Sequence, residues 1–160
     1  MGIMRRTRLI SLWLTGLLVG AAVGGGTALW CLRRAEPAEQ NIRPFLESYF
    51  GTWSAGDMAA YRAHFDPAAQ IAMVERGEIV DIAELDPFVA GQAKLIREAP
   101  VPMVERMTTF IAEADATAAQ ATTGWELQKG GQKITGVDRF TLIRDPQGQW
   151  KILFLVFYGR

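Results

Sequence analysis

Tyr49 and Asp138 are the two residues of this sequence whose types and positions could do chemistry together. Tyr49 lies on the apolar stripe of a predicted helix, and Asp138 shares strand phase with Phe140 and Leu142. Burying a charged carboxyl costs several kcal/mol, so we expect Asp138 to be either protonated or paired with a cation. A neutral carboxyl beside a phenol would offer two hydrogen-bond donors to a ligand carbonyl.

Both residues also have a purely structural interpretation, which the sequence favours over the chemical one. Tyr49 would then be a core aromatic whose hydroxyl binds water or a backbone carbonyl. Asp138 would be a strand-end residue paired with one of the nearby arginines in sequence or across the sheet, namely Arg139, Arg106 or Arg144.

A candidate ligand pocket follows from the same patterns, with five lining residues: Tyr49, Trp53, Met73, Asp138 and Phe140. We expect no cofactor and no metal in it. The sequence has one cysteine and one histidine, which is too few for the usual zinc sites. It also has no glycine-rich phosphate loop, no Gly-x-Ser-x-Gly elbow and no His-Glu-x-x-His motif.

Three helices are predicted in the first half of the domain to position these residues. Apolar residues recur at helical spacing from Ile42 to Trp53, and Gly56 is suited to the left-handed cap that ends such a helix. Asp57 is predicted to cap a second, short helix. Asp86 followed by proline predicts the start of a third helix, which ends before Pro100.

Strand patterns dominate the second half. They predict a short hairpin over residues 70–82 and long strands over 103–114, 117–128, 132–144 and 149–158. Helices followed by strands form an α+β pattern. We therefore predict a curved antiparallel sheet wrapped around three N-terminal helices. The helices cannot fill the whole concavity, so an apolar pocket is expected.

Two segments carry a resemblance to a known superfamily: FLESYFGTWSAGDMAAYRAHF, which begins at Phe45, and GVDRFTLIRDPQGQWKILF, which begins at Gly136. The chain resembles the nuclear transport factor 2-like superfamily over roughly residues 42–158. Its members include SnoaL-like cyclases, steroid Δ-isomerases and limonene epoxide hydrolases. The resemblance implies a cystatin-like cone fold.

The steroid isomerases are the sharpest comparison within that superfamily. The resemblance places Tyr49 and Asp138 on the positions of their two oxyanion donors, one a tyrosine and one a protonated aspartate. The position of their aspartate base is occupied by Met73. The resemblance therefore implies a polar spot in an apolar pocket without the base, and we expect a domain that is not an enzyme.

Leu9 to Leu32 is an uncharged stretch long enough to cross a membrane. Arginines precede and follow it, and the positive-inside rule then places the N-terminus in the cytoplasm and the C-terminal domain outside it, in the periplasm of a bacterium. The small-x-small triplet at residues 26–28 leaves a cleaved signal peptide and a secreted protein as the alternative. The predicted segments are a basic segment (1–8), an anchor (9–32), a linker (33–41) and the folded domain (42–160).

Gly16, Gly20 and Gly24 would share one face of that helix and could pack against another membrane helix. At the other end of the chain, the last strand is apolar on both faces rather than alternating. Its outer face is a candidate interface, formed by Ile152, Phe154, Val156 and Tyr158. We expect the outer face to be covered by a second copy, by subunits of a membrane complex or by the membrane itself.

Charge excludes one class of partner. Residues 35–160 hold 12 basic and 17 acidic side chains, and such an acidic domain repels the phosphates of nucleic acids. The expected function is a membrane-anchored, extracytoplasmic accessory or scaffold domain. The alternatives are a binder of a small apolar ligand, or an isomerase-like enzyme, that uses the pocket.

Overall fold

The computed structural model describes residues 38–160, with side chains described from Asn41 onward. No helix within this part of the chain is both long and apolar enough to cross a membrane. The predicted anchor over residues 9–32, with Gly16, Gly20 and Gly24, lies outside the described residues, as do the basic segment and most of the linker.

Three helices and six strands make up the described domain. In chain order they are α1 (Ala38–Ser54), α2 (Met58–Ala63), β1 (Phe65–Glu75), β2 (Glu78–Glu84), α3 (Leu85–Glu98), β3 (Met103–Ala114), β4 (Ala118–Lys129), β5 (Gln132–Arg144) and β6 (Trp150–Gly159). The α+β order predicted from the sequence is confirmed, and the strands lie within one or two residues of their predicted bounds where they are long.

Helix α1 begins earlier than predicted, at Ala38, inside the segment predicted to be a linker. It runs through Pro44, which cannot donate a hydrogen bond to the carbonyl of Gln40. From Ile42 onward the stripe packs as expected, and Ile42 and Leu46 are fully buried. Helix α1 therefore presents one continuous apolar face to the sheet.

Local chemistry sets the next helix boundaries. Gly56 adopts a φ of 71°, which ends α1 in the left-handed conformation. The Asp57 side chain accepts a hydrogen bond from the Ala60 N–H at 3.0 Å and caps α2. The sequence predicts Asp86 as the N-cap of α3, but the helix starts earlier, at Leu85, and Glu84 is its N-cap. Asp86 lies in the first turn and binds Arg62 at 2.6 Å instead.

All six strands form a single sheet in the order β2-β1-β6-β5-β4-β3. The prediction of a wholly antiparallel sheet is wrong at one place, because β1 and β6 pair in parallel. The remaining pairs are antiparallel. The early hairpin β1–β2 joins the later strands through β6, which is far away in sequence, and no strand pattern encodes that pairing.

Bulges bend the sheet around the helices. In β6, Thr141 pairs with Phe154 and Leu142 with Ile152, so Leu153 is an extra residue. The side-chain phase of β6 therefore reverses at Leu153. Ile152 is 0% exposed in the core, whereas Phe154, on the other side of the bulge, is 43% exposed.

The prediction that Ile152 belongs to the candidate interface on the outer face of β6 is therefore wrong. That prediction assumed that side chains alternate between the two faces along the whole strand, without a bulge. The other three members, Phe154, Val156 and Tyr158, do share the outer side of β6 and are partly or largely exposed. The inner side of the strand is completed by Leu155, which is 1% exposed. Both faces of β6 are apolar, as predicted, but three of the four predicted residues face outward instead of all four.

Candidate functional site

A cavity of about 250 Å³ lies between the three helices and the concave face of the sheet. Its walls are mostly aromatic and aliphatic, with side chains such as Phe88, Leu127 and Phe157. A small number of polar side chains also line it, from both helices and strands: Tyr49, Tyr61, Gln92, Glu105 and Asp138. None of the described residues that line it is an arginine or a lysine. An apolar cavity with a few convergent polar groups is typical of a ligand site.

Asp138 is one of the buried polar groups of this cavity and is 4% exposed. It lies on β5, directly opposite Thr123 on β4 and Phe157 on β6. Its carboxyl forms no hydrogen bond or ion pair that meets ordinary geometric limits with any described residue, and none of the arginines considered above pairs with it. The structure therefore does not support the interpretation of Asp138 as a strand-end residue paired with an arginine.

The pKa of Asp138 lies well above its usual range. Burial is the main cause, the charge of Glu105 adds to it, and the indole N–H of Trp125 opposes it. The Trp125 Nε1 atom is itself buried and has no hydrogen-bond partner of good geometry in the described domain. Burial therefore favours the protonated form of the Asp138 carboxyl, and a protonated carboxyl can donate a hydrogen bond into the cavity.

Tyr49 reaches the same cavity from α1. Its phenolic oxygen lies 3.0 Å from that of Tyr61 on α2, with Tyr61 as the donor. Burial raises the pKa values of both phenols well above 10.0. The charge of Asp138 would raise the pKa of Tyr49 further, so these two groups lie within electrostatic reach of each other.

The other three candidate pocket residues lie in different places. Met73 on β1 and Trp53 on α1 line the cavity. The Trp53 indole donates to Gln92 on α3 at 2.8 Å, which ties α1 to α3. Phe140 does not line the cavity, because it is 1% exposed and packs edge-on against the Tyr49 ring at 5.5 Å. Phe140 therefore supports Tyr49 from behind.

Glu105 is a cavity residue that the sequence interpretation missed. It lies on β3, and its main-chain N–H and carbonyl both bind the Ser54 hydroxyl, at 2.8 and 2.9 Å. This pair of bonds fastens the end of α1 to β3. Burial raises the pKa of Glu105 to about 7. One signal could have found it, since Glu105 shares strand phase with the apolar Met103 and Met107.

Gly136 allows Trp125, one of the residues that line the cavity, to lie close to strand β5. It lies directly opposite Trp125 in the β4–β5 register. A Cβ on Gly136 would overlap the Trp125 ring and the main-chain carbonyl of Tyr158. The absence of a side chain therefore lets the indole lie against strand β5, next to Asp138.

Comparisons with known proteins agree with this architecture. Residues 37–158 match the family described as "Putative lumazine-binding". No protein with a curated description matches the chain.

Solved structures give the same fold at low sequence identity. A nuclear transport factor 2-like protein of unknown function from Pseudomonas putida has a TM-score of 0.66 at 16% identity, covering 77% of this chain and 87% of its own. A protein of unknown function with a cystatin-like fold from Nostoc punctiforme has a TM-score of 0.65 at 10% identity, covering 76% and 90%.

A ketosteroid isomerase-like protein from Erwinia carotovora atroseptica has a TM-score of 0.61 at 13% identity, covering 78% of this chain and 97% of its own. At such identities these likenesses establish the fold alone. Together with the match over residues 37–158, they show that the chain belongs to the putative lumazine-binding family, within the nuclear transport factor 2-like superfamily.

Proposed function

We propose that the domain binds a small, largely apolar ligand that carries a carbonyl or a similar hydrogen-bond acceptor. The observation that carries this proposal is the buried carboxyl of Asp138, which lies near the Trp125 indole N–H but forms no hydrogen bond of ordinary geometry in the described domain, at a cavity whose described lining includes no cation. A buried polar group without a partner is costly, and a ligand acceptor would remove that cost. The proposal thus replaces the expectation of a purely structural Asp138.

Tyr49 supplies the second donor of the proposed site. In the arrangement where Tyr61 donates to the Tyr49 oxygen, the Tyr49 hydrogen is left free for a ligand. No hydrogen bond of ordinary geometry joins Tyr49 to Asp138 in the described domain, although each lies within reach of the other's charge. A ligand oxygen between them would accept from both.

The volume and the lining of the cavity indicate the size and shape of the rest of the ligand. The cavity volume of about 250 Å³ is below the ~300–1,000 Å³ typical of pockets for drug-sized molecules. Trp53, Trp125 and Phe157 supply aromatic surface for a flat ring system. The family description names lumazine, a flat bicyclic heterocycle with ring carbonyls, which has the required chemistry.

Fluorescence titration of the full-length chain with lumazine and with 2-naphthol tests the proposal. We expect saturable binding of at least one probe at one site per chain. Tyr49→Phe and Asp138→Leu each remove one donor, and each is expected to weaken binding about tenfold, the usual value of one lost hydrogen bond. Asp138→Asn keeps an N–H donor and is expected to retain most of the affinity.

Thr141→Val is the matched control, because Thr141 lies on the same strand as Asp138 but on the outer face, where it binds Gln120. Its affinity should equal that of the wild type. Failure of both probes to bind, or equal affinities for the Tyr49, Asp138 and Thr141 variants, would contradict the proposal.

A second proposed function is an accessory or scaffold role, favoured by the outer face of β6. Phe154 is 43% exposed there, on a strand in the interior of the sheet, and Val156 and Tyr158 continue the apolar surface. Large exposed apolar side chains in a row are typical of interaction surfaces. With an anchor over residues 9–32, the domain would meet its partners outside the cytoplasm, as a homodimer or as a subunit of a membrane complex.

Sedimentation of the full-length chain in detergent tests this second role. Phe154→Ser should lower the apparent mass if the surface joins two copies or a co-purified subunit. Ile79→Ser is the control, because Ile79 is 63% exposed on the edge strand β2 and does not belong to this surface. The mass of the mature N-terminus separates a retained anchor from a cleaved signal peptide.

A further inference from the structure

A second cavity, of about 380 Å³, lies where the first turns of α1 and the end of α2 meet the turn between β5 and β6. Its volume is within the ~300–1,000 Å³ typical of ligand pockets. It shares none of its described lining residues with the cavity around Asp138. We call it the basic cleft, because Arg144 and Lys151 line it.

The charged side chains that line the basic cleft are both cations, and none of its described lining residues is an aspartate or a glutamate. The domain as a whole is different, since residues 35–160 hold 12 basic and 17 acidic side chains. The basic cleft is therefore a local positive region on an acidic domain, and it would attract an anion.

Neither cation of the basic cleft is paired with a carboxylate of the described domain. Arg144 donates to the main-chain carbonyl of Gly148 at 2.5 Å, and Lys151 donates to that of Ala63 at 2.7 Å. An arginine has five N–H donors and a lysine has three, so these two bonds leave most of the donors for a ligand.

The turn between β5 and β6 contains a carboxylate that does not line the basic cleft. The Asp145 Oδ1 atom accepts from the main-chain N–H groups of Gln147 and Gln149, at 3.0 and 2.8 Å. Asp145 is therefore bound within its own turn, and it forms no ion pair with Arg144, its neighbour in sequence. The turn contributes the uncharged Gln149 to the cleft instead.

Contacts within the domain hold the side chains of the basic cleft in position. The guanidinium carbon of Arg144 lies 4.0 Å from the centroid of the Trp150 ring, in a cation–π contact. Lys151 is tied to the C-terminal end of α2 by its bond to the main chain. The rings of Phe45 and His64, 5.2 Å apart, also line the cleft. Side chains that are already held lose less conformational entropy when a ligand binds.

This combination of groups fits a phosphate group better than a carboxylate. The guanidinium and the ammonium group are the two cations that proteins use for phosphate oxygens. The amides of Asn41 and Gln149 are further possible donors. A phosphate monoester carries roughly −1.5 to −2 charge at pH 7, which two cations match, whereas a carboxylate carries a single charge.

We propose that the basic cleft binds a phosphate group through Arg144 and Lys151, with its aromatic side chains against the group that the phosphate carries. Soluble phosphate esters and lipid headgroups share this chemistry. The predicted anchor ends at Leu32, nine residues before Asn41. In an anchored chain the cleft would therefore lie within about 30 Å of the bilayer, in reach of anionic headgroups.

Isothermal titration calorimetry of the full-length chain, in a neutral detergent and a phosphate-free buffer, tests this proposal. We expect phenyl phosphate to bind at one site per chain and benzoate to bind at least about tenfold more weakly, because benzoate carries less charge. Dihexanoyl phosphatidic acid is the lipid probe, and dihexanoyl phosphatidylcholine controls for its acyl chains. Phosphatidic acid that binds about tenfold more tightly than both phenyl phosphate and phosphatidylcholine identifies a lipid headgroup as the source. Any other order, with phenyl phosphate bound, identifies a soluble ester.

Three variants test the residues. Arg144→Gln and Lys151→Gln each remove one cation and should weaken phosphate binding about tenfold or more. Gln149→Glu places a negative charge in the cleft at an exposed position and should weaken binding to a similar extent. Arg97→Gln is the matched control for net charge, because the Arg97 side chain is 69% exposed on α3 and does not line the cleft. Its affinity should equal that of the wild type.

Thermal unfolding followed by circular dichroism checks that each variant is folded, and Gln149→Glu keeps the test valid if Arg144→Gln or Lys151→Gln is not. Absence of binding of both phenyl phosphate and phosphatidic acid by the wild type would overturn the proposal, as would benzoate binding as tight as that of phenyl phosphate. Equal affinities of Gln149→Glu and wild type would also overturn it. So would a loss in Arg97→Gln as large as that in Gln149→Glu, because the effect would then come from net charge and not from the cleft.

Discussion

The phenolic oxygens of Tyr49 and Tyr61 lie 3.0 Å apart, joined by a hydrogen bond between two helices that meet above the cavity. Both rings are almost fully buried, at 4% and 2% exposure. The hydrogen bond from Tyr61 holds the Tyr49 hydroxyl in place at the cavity.

Tyr61→Phe should weaken 2-naphthol binding about three- to tenfold, because the Tyr49 oxygen loses its donor while the apolar ring remains. Tyr49→Phe should weaken binding more, since it removes the donor that the proposed site offers to the ligand. Fluorescence titration measures both. Equal affinity of Tyr61→Phe and wild type would show that the hydrogen bond between the two tyrosines does not act on the ligand.

Glu105→Gln should stabilise the domain at pH 8 and leave its stability nearly unchanged at pH 4.5. The folded-state pKa of Glu105 is raised from 4.5 to about 7, so its protonation favours folding below pH 4.5 and that contribution is lost as the pH rises through 7. Full loss corresponds to roughly 3 kcal/mol, and glutamine avoids it because it does not ionise. Urea unfolding at pH values from 4.5 to 8 measures the difference. The exposed Glu113→Gln should show no such pH-dependent gain.

Gly136→Ala should destabilise the domain by about 1–3 kcal/mol or more, the usual cost of overpacking. Its Cβ would meet not only the Trp125 ring but also the main-chain carbonyl of Tyr158, which cannot rotate away. Gly159→Ala is the control, since its nearest atom is the Thr135 carbonyl at 3.9 Å, an ordinary contact. Thermal unfolding compares the two variants, and similar melting temperatures would contradict the close approach of Trp125.

Ile152→Ala and Phe154→Ala test the reversal of phase in β6. Ile152 is fully buried, so its truncation should cost about 2–5 kcal/mol. Phe154 is 43% exposed, and its truncation should cost roughly 1 kcal/mol or less. Chemical denaturation gives both values. A larger loss at Phe154 than at Ile152 would mean that the bulge at Leu153 is absent in solution.

The local elements were predictable because their signals are short-range. The apolar stripe from Ile42 to Trp53, the cap at Asp57 and the left-handed Gly56 each depend on residues within a few positions along the chain. Turn residues likewise marked the long strands to within one or two residues. The start of α3 was misplaced because aspartate is by type a better N-cap than glutamate, whereas Asp86 pairs with Arg62 in a tertiary contact and Glu84 occupies the cap position.

The candidate site was predictable in part. Tyr49, Trp53 and Asp138 could be assigned to the concave side from helix and strand phase, and Met73 from the superfamily resemblance. All four line one cavity. Whether they bind a ligand stays a prediction. Phe140 has the same strand phase as Asp138, but its depth in the core, which no periodicity encodes, decides that it packs behind Tyr49.

By itself, the sequence determined the order of elements, the inward face of each and the acidic charge of the domain, since these depend on residue type and spacing along the chain. Only the tertiary structure decided the parallel pairing of β1 with β6, the phase reversal at Leu153 and the presence of Glu105 in the cavity with Asp138. Each of these depends on which distant segments lie side by side. The burial that raises the pKa values of Glu105 and Asp138 arises from that packing and not from the sequence near either residue.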